Sequence, residues 1–140
     1  MSGNGVLLDS VILIDHFNGV PMATEYLRSV GGEAQVSAIT RAEVLTGLEG
    51  SVRQVGARFL DCFTFVPIDR EIADLAAELR HLHGWKLPDA LQAASAMHHG
   101  LMLATRNTRD FDPARHPFVV VPYTLVPGCG VSEGTGGQRP

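Results

Sequence analysis

Asp9, Glu43, Asp89 and Asp110 are the residues whose types and placement could do chemistry, because each falls where an apolar run ends or a helical pattern begins. In open α/β sheets the strand carboxyl ends converge on one edge, so acids at such positions meet in a single site. Three or four carboxylates gathered there repel one another at neutral pH and call for a cation or for protonation. Ligands that are all oxygen suit the hard ions Mg²⁺ or Mn²⁺. Each acid also has a plain structural role open to it. Glu43 stands three residues after Thr40, the capping-box spacing. Asp89 in a first helical turn would favour the helix dipole. Asp110 and Asn107 could each cap a turn. Asp9 has the strongest individual case, since an acid directly after a buried apolar strand is costly unless it faces a site.

The elements that must position these acids follow from the hydrophobic pattern. Val6 to Leu8 reads as a buried strand ending at Asp9. A helix over 10–17 opens with Ser10 as a capping residue and stops before Asn18-Gly19, and a second helix over 21–30 is stopped by Gly31-Gly32. Strands are expected over 34–37, 63–67, 101–104 and 118–121, and helices over 40–48 and 51–60. A long amphipathic helix capped by Asp69 runs to Gly84, and an alanine-rich one opens at Pro88 and ends before Gly100. Alternation of strands and helices argues for an α/β fold with a mainly parallel central sheet between two helical layers, because each parallel return needs a crossover.

Composition sets the class. With 140 residues, 45% hydrophobic and 19% charged, the chain has the make-up of one globular domain. We place that domain over 1–126. The segment 127–140, PGCGVSEGTGGQRP, carries too little apolar surface to repay ordering and reads as a flexible tail. No stretch reaches the roughly 18 apolar residues of a membrane span, and the first residues lack a basic signal flank, so a cytoplasmic location is expected. Cys62 and Cys129 lie far apart without metal-site spacing and read as free thiols. A net charge of −4 argues against coating nucleic acid by charge alone but not against a nuclease, since a bound metal reverses the sign a phosphate meets.

Three segments resemble the PIN-domain family, and within it the VapC toxins: VLLDSVILIDHF, ITRAEVLTGL and KLPDALQAASAMHHGLMLATRNTRDF. The resemblance implies a single three-layer α/β/α PIN-like domain and a metal-dependent endoribonuclease, with Asp9, Glu43 and Asp89 shaping the metal site. Asn107 stands where many relatives carry an acid, which leaves Asp110 as the nearby candidate for the fourth place. Ser10 and Thr105 match hydroxyl positions beside the family's site. The same resemblance implies an RNA substrate (transfer, ribosomal or messenger), a VapB-like antitoxin as partner, and a homodimer.

Other residues carry weaker readings. Arg41, Lys86, Arg106 and Arg109 flank the acids in sequence and could hold RNA phosphates, although such residues also serve simply as solvated surface. Asp15, six residues after Asp9, falls on another helix face and stands behind the site at most. The pairs His81/His83 and His98/His99 are too closely spaced on a helix to chelate. Trp85 could stack a base but reads first as an anchor for a loop. A receiver-like signalling domain lacks its mid-chain phospho-acceptor here. A haloacid-type phosphatase would need an acid at Val11. A PIN domain that has lost activity and only binds remains the alternative.

Overall fold

The structure is a computed structural model, and it describes residues 5–125. The expected tail over 127–140 lies outside those residues, as does Cys129; Cys62 is exposed and unpaired.

Five parallel strands form one sheet: β1 (Val6–Leu8), β2 (Ala34–Ser37), β3 (Thr64–Val66), β4 (Met102–Ala104) and β5 (Val119–Val120), in the order β3-β2-β1-β4-β5. Seen along β1, the side chains alternate between two cores. Leu7 joins Leu103, Ile72, Ala76 and Ala93, whereas Val6 and Leu8 join Ile12, Leu13, Ala23 and Val44. A strand buried on both faces needs a helical layer on each side, which makes the domain the expected three-layer α/β/α sandwich.

One layer holds α1 (Ser10–Phe17), α2 (Pro21–Val30), α3 (Ala38–Thr46) and α4 (Gly50–Leu60); the other holds α5 (Arg70–His83) and α6 (Leu87–His98). None of the described helices is long and apolar enough to cross a membrane. The boundaries obey local chemistry. Pro21 and Pro88 sit in first turns, where a missing N–H leaves no bond unmade. Asp69 caps α5 by accepting from the Ile72 N–H at 2.9 Å, and Gly84 ends the helix at φ 72°, a left-handed conformation that costs other residues more.

Two caps differ from the sequence expectation. The cap of α1 is Asp9 itself, whose side chain accepts from the Ser10 N–H at 2.8 Å, so Ser10 is the first helical residue. The cap of α3 is Ser37, accepting from the Thr40 N–H at 3.1 Å, and the helix therefore starts two residues before Thr40. Glu43 accordingly belongs to no capping box.

Candidate functional site

β1 lies between β2 and β4, and chain order reverses on its two sides, so a crevice opens at the carboxyl ends of these strands. Leu8 pairs with Ala104, and the Asp9 N–H donates to the Ala104 carbonyl at 2.9 Å. Asp9 and Thr105 thus leave adjacent strands side by side. α3, following β2, brings Glu43; the first turn of α6 brings Asp89; the loop after β4 brings Asp110. Asp9, Ser10, Val11, Glu43, Asp89, Arg106, Asn107, Thr108 and Arg109 line the resulting cleft of about 480 Å³.

Asp9 is 7% exposed, and both carboxylate oxygens are held. Oδ2 accepts from the Thr105 hydroxyl at 2.6 Å; Oδ1 accepts from the Ser10 N–H and, at 3.3 Å, from the Gln92 amide. Burial raises its pKa above the ordinary carboxylate value, against the lowering effect of these bonds. Glu43 is pushed up by the walls around it, although its side chain reaches solvent; a bond to the Ser10 side chain opposes the shift and the charge of Asp9 adds to it. Asp89 rises from 3.8 to about 6, first through burial, then through a hydrogen bond shared with Asp110 and the charges of Asp110, Asp9 and Glu43. Asp89 is therefore within electrostatic reach of the other three acids, and Glu43 of Asp9; below about pH 6 a proton on Asp89 relieves part of that repulsion.

Asn107 lines the cleft and is bonded to Asp110. Its amide donates to Asp110 Oδ2 at 3.2 Å, and its backbone N–H donates to the Thr105 hydroxyl at 2.9 Å, so it holds the loop that delivers the acid. Trp85, 6% exposed, donates its indole N–H to the Asp110 carbonyl at 3.1 Å and anchors that loop from the α5–α6 turn.

Of the four basic residues, Arg106 and Arg109 line the cleft and Arg41 and Lys86 do not. Arg41 pairs with Asp61 at 2.8 Å, and Lys86 is exposed just before α6. His83 stacks on Trp85, and His98 meets Glu71 at 3.3 Å on the surface. Asp69, Glu71 and His98 bring ligand atoms within 4.8 Å of one another, but all three are exposed and far from this chemistry: Asp69 already caps α5 and Glu71 already faces His98.

Gln92, Ser37 and Thr40 went unread in the sequence as parts of the site. All three are buried. The Ser37 hydroxyl donates to Gln92 Oε1 at 2.7 Å, the Gln92 amide donates to Thr40 Oγ1 as well as to Asp9, and the Thr40 hydroxyl donates to the Leu8 carbonyl at 2.9 Å. This chain of bonds ties α6, α3 and β1 to one carboxylate. The signal that could have found it is a lone Gln among the alanines of α6, three residues after Asp89.

The donor set fits a divalent cation: Asp9, Glu43 and Asp89 line the crevice with carboxylate oxygens, Asp110 meets Asp89, and no Lys or Arg forms an ion pair with any of the four among the described residues.

Comparison with known proteins agrees with this architecture. Residues 6–116 match the PIN domain family. Over 125 residues the chain is 33% identical to Ribonuclease VapC10 of Mycobacterium tuberculosis, spanning 82% of this chain and 94% of that protein. A chain of a toxin-antitoxin complex from Klebsiella pneumoniae superposes with a TM-score of 0.81 at 38% identity, covering 86% of this chain and all (100%) of the other. A chain of FitAcB from Neisseria gonorrhoeae gives 0.69 at 28% identity, covering 86% and 99%. Likeness that extends through sequence, overall fold and length together marks common descent, and the chain belongs to the PIN domain family, among the VapC toxins.

Proposed function

We propose that this protein is the toxin of a toxin–antitoxin pair and cuts RNA by metal-dependent hydrolysis of phosphodiester bonds. The observation that carries the reading is the meeting of Asp9, Glu43 and Asp89 at one crevice, with Asp110 against Asp89 and no basic side chain paired to any of them among the described residues. The names of its relatives, a ribonuclease and a toxin-antitoxin complex, support it.

In this reading the four acids hold Mg²⁺ or Mn²⁺. When bound, such an ion supplies positive charge to a phosphate and makes a water more acidic. The chain's own groups do the rest. Thr105 and Gln92 fix the direction of Asp9, Ser10 holds Glu43, and Asn107 holds Asp110. Arg109, exposed at the rim, meets a neighbouring phosphate, and Lys86 offers a further positive charge beside Asp89; Arg41, committed to Asp61, has the weakest claim to RNA. The catalytic unit spans 1–126. A VapB-like antitoxin, a homodimer and a cytoplasmic setting belong to the same reading.

The test is cleavage of a structured RNA by the purified protein with Mg²⁺ or Mn²⁺, with EDTA, and with Asp9→Asn or Asp89→Asn. Expected are metal-dependent products carrying 5′-phosphates, lost in both variants while circular dichroism is unchanged. Cutting that persists in Asp9→Asn sinks the proposed site. Metal binding without cutting of any RNA offered would favour a PIN domain that only binds.

A further inference from the structure

Arg106 stands in the acidic cleft and pairs with none of its acids. Its partner is Asp15, a residue of α1 whose side chain is 7% exposed: Nε donates to Oδ2 at 2.6 Å and Nη2 to Oδ1 at 2.9 Å. Tyr123, beyond β5, donates its hydroxyl to the same Oδ2 at 2.7 Å. Two bonds along one side of a guanidinium fix the plane of the group. They consume the Nε–Nη2 edge and leave the Nη1–Nη2 end, a fork of N–H donors that matches two oxygens of a phosphate.

We infer that Asp15 and Tyr123 form a positioning unit that presents the free end of Arg106 to an RNA phosphate in the cleft. This rests on the ribonuclease reading for its substrate, but its logic is local. A mobile Arg beside four carboxylates would fold onto them and compete with a cation. Asp15 prevents this by holding the charge from behind. An ion pair with its acid buried adds little to stability compared with apolar residues of the same volume, so its value here lies in direction. The unit also spans the chain, joining residues 91 and 108 positions apart, and through Arg106 it fixes the start of the loop that carries Asn107 and Asp110.

The experiment compares wild type with Arg106→Gln, Arg106→Lys, Asp15→Asn and Tyr123→Phe. Cleavage kinetics are followed in Mg²⁺, and binding of a fluorescein-labelled single-stranded RNA is measured across a KCl series in the non-cutting Asp9→Asn chain. For Arg106→Gln the slope of log affinity against log salt should become shallower by about 0.7, the loss of one phosphate contact on a single strand. Arg106→Lys should keep the slope without restoring kcat/KM, because the ammonium lacks the fork. Asp15→Asn and Tyr123→Phe should also keep the slope, since Arg106 stays charged, yet lower kcat/KM about 10- to 100-fold by misplacing it. Tyr123→Phe deletes a single hydroxyl and keeps the test meaningful if Asp15→Asn fails to fold. An unchanged slope and unchanged kcat/KM in Arg106→Gln would overturn the inference. So would losses in the Asp15 and Tyr123 variants that match only the fraction of unfolded protein. If wild type cuts no RNA while the Arg106→Gln slope still falls, the nuclease reading fails and the phosphate contact stands.

Discussion

A buried carboxylate keeps its direction only while its oxygens are bonded, and Asp9 depends for this on Thr105 and Gln92. Gln92→Leu keeps the volume but removes the amide that links Ser37, Thr40 and Asp9, leaving the Ser37 hydroxyl without its acceptor. The expected cost is about 1–3 kcal/mol in urea unfolding, with a fall in cleavage beyond what the lost stability explains; activity equal to wild type at the same folded fraction would remove Gln92 from the site. At this scale Asp9 and Asp89 were legible in the sequence because one directly follows an apolar run and the other opens a helix; Glu43, the sixth residue of α3, and Asp110, six residues past β4, lie further from those signals. Gln92 was not legible, because a polar residue among alanines reads as a solvent face until the fold buries it. The Asp15–Arg106 pair was illegible for another reason: nothing local joins residues 91 positions apart. Spacing along α1 did place Asp15 away from the helix start, and it lies behind the cleft through Arg106 instead of within it.

Elements position the site only as firmly as they pack, and α6 bears most of this load because it carries both Asp89 and Gln92. Its inner face is built from Ala90, Ala93, Ala94 and Ala96, all fully buried, against α5 and the sheet. Small side chains let the helix approach closely, so Ala94→Leu should overpack the layer and destabilise the protein by about 1–3 kcal/mol, read as a lower urea midpoint; an unchanged midpoint would mean that the layer yields freely. Element boundaries were legible wherever a residue type enforces them, as at Pro21, Asp69, Gly84 and Gly100. They slipped at α1 and α3, where two nearby residues could each cap, Asp9 or Ser10 at one and Ser37 or Thr40 at the other: Asp9 stood out only as a functional acid, and Ser37 only as the end of a strand. At α3 tertiary bonding goes with the outcome, since the Thr40 hydroxyl is committed to the Leu8 carbonyl and Ser37 reaches Gln92. The last strand is likewise shorter than the apolar run 118–121, because pairing with β4 covers Val119 and Val120 alone.

At the scale of the whole molecule, the strand order brings four acids to one edge of a chain already at net charge −4, and their mutual repulsion becomes a term in folding stability. Asp89 shows the sign. Its folded pKa is about 6 against an ordinary 3.8, so between these values the unfolded chain has released the proton while the native protein keeps it. Stability from this group therefore falls as pH rises from about 4 to 6 and stays lower above that window; Asp9 and Glu43, also raised, act in the same direction. His16 and His116, lowered by burial, act oppositely, since the native state resists taking up their protons as pH falls. A melting series in EDTA should separate the two effects: relative to wild type, Asp89→Asn gains more in Tm above about pH 6 than below about pH 3, where the carboxyl is mostly neutral in both states. A cation that binds only the native cleft stabilises by mass action and favours the ionised acids, so Mn²⁺ should raise the Tm of wild type more at neutral than at acid pH and raise that of Asp89→Asn less. An Asp89→Asn gain independent of pH, together with an equal response to Mn²⁺, would show that the acids do not act as one group in solution.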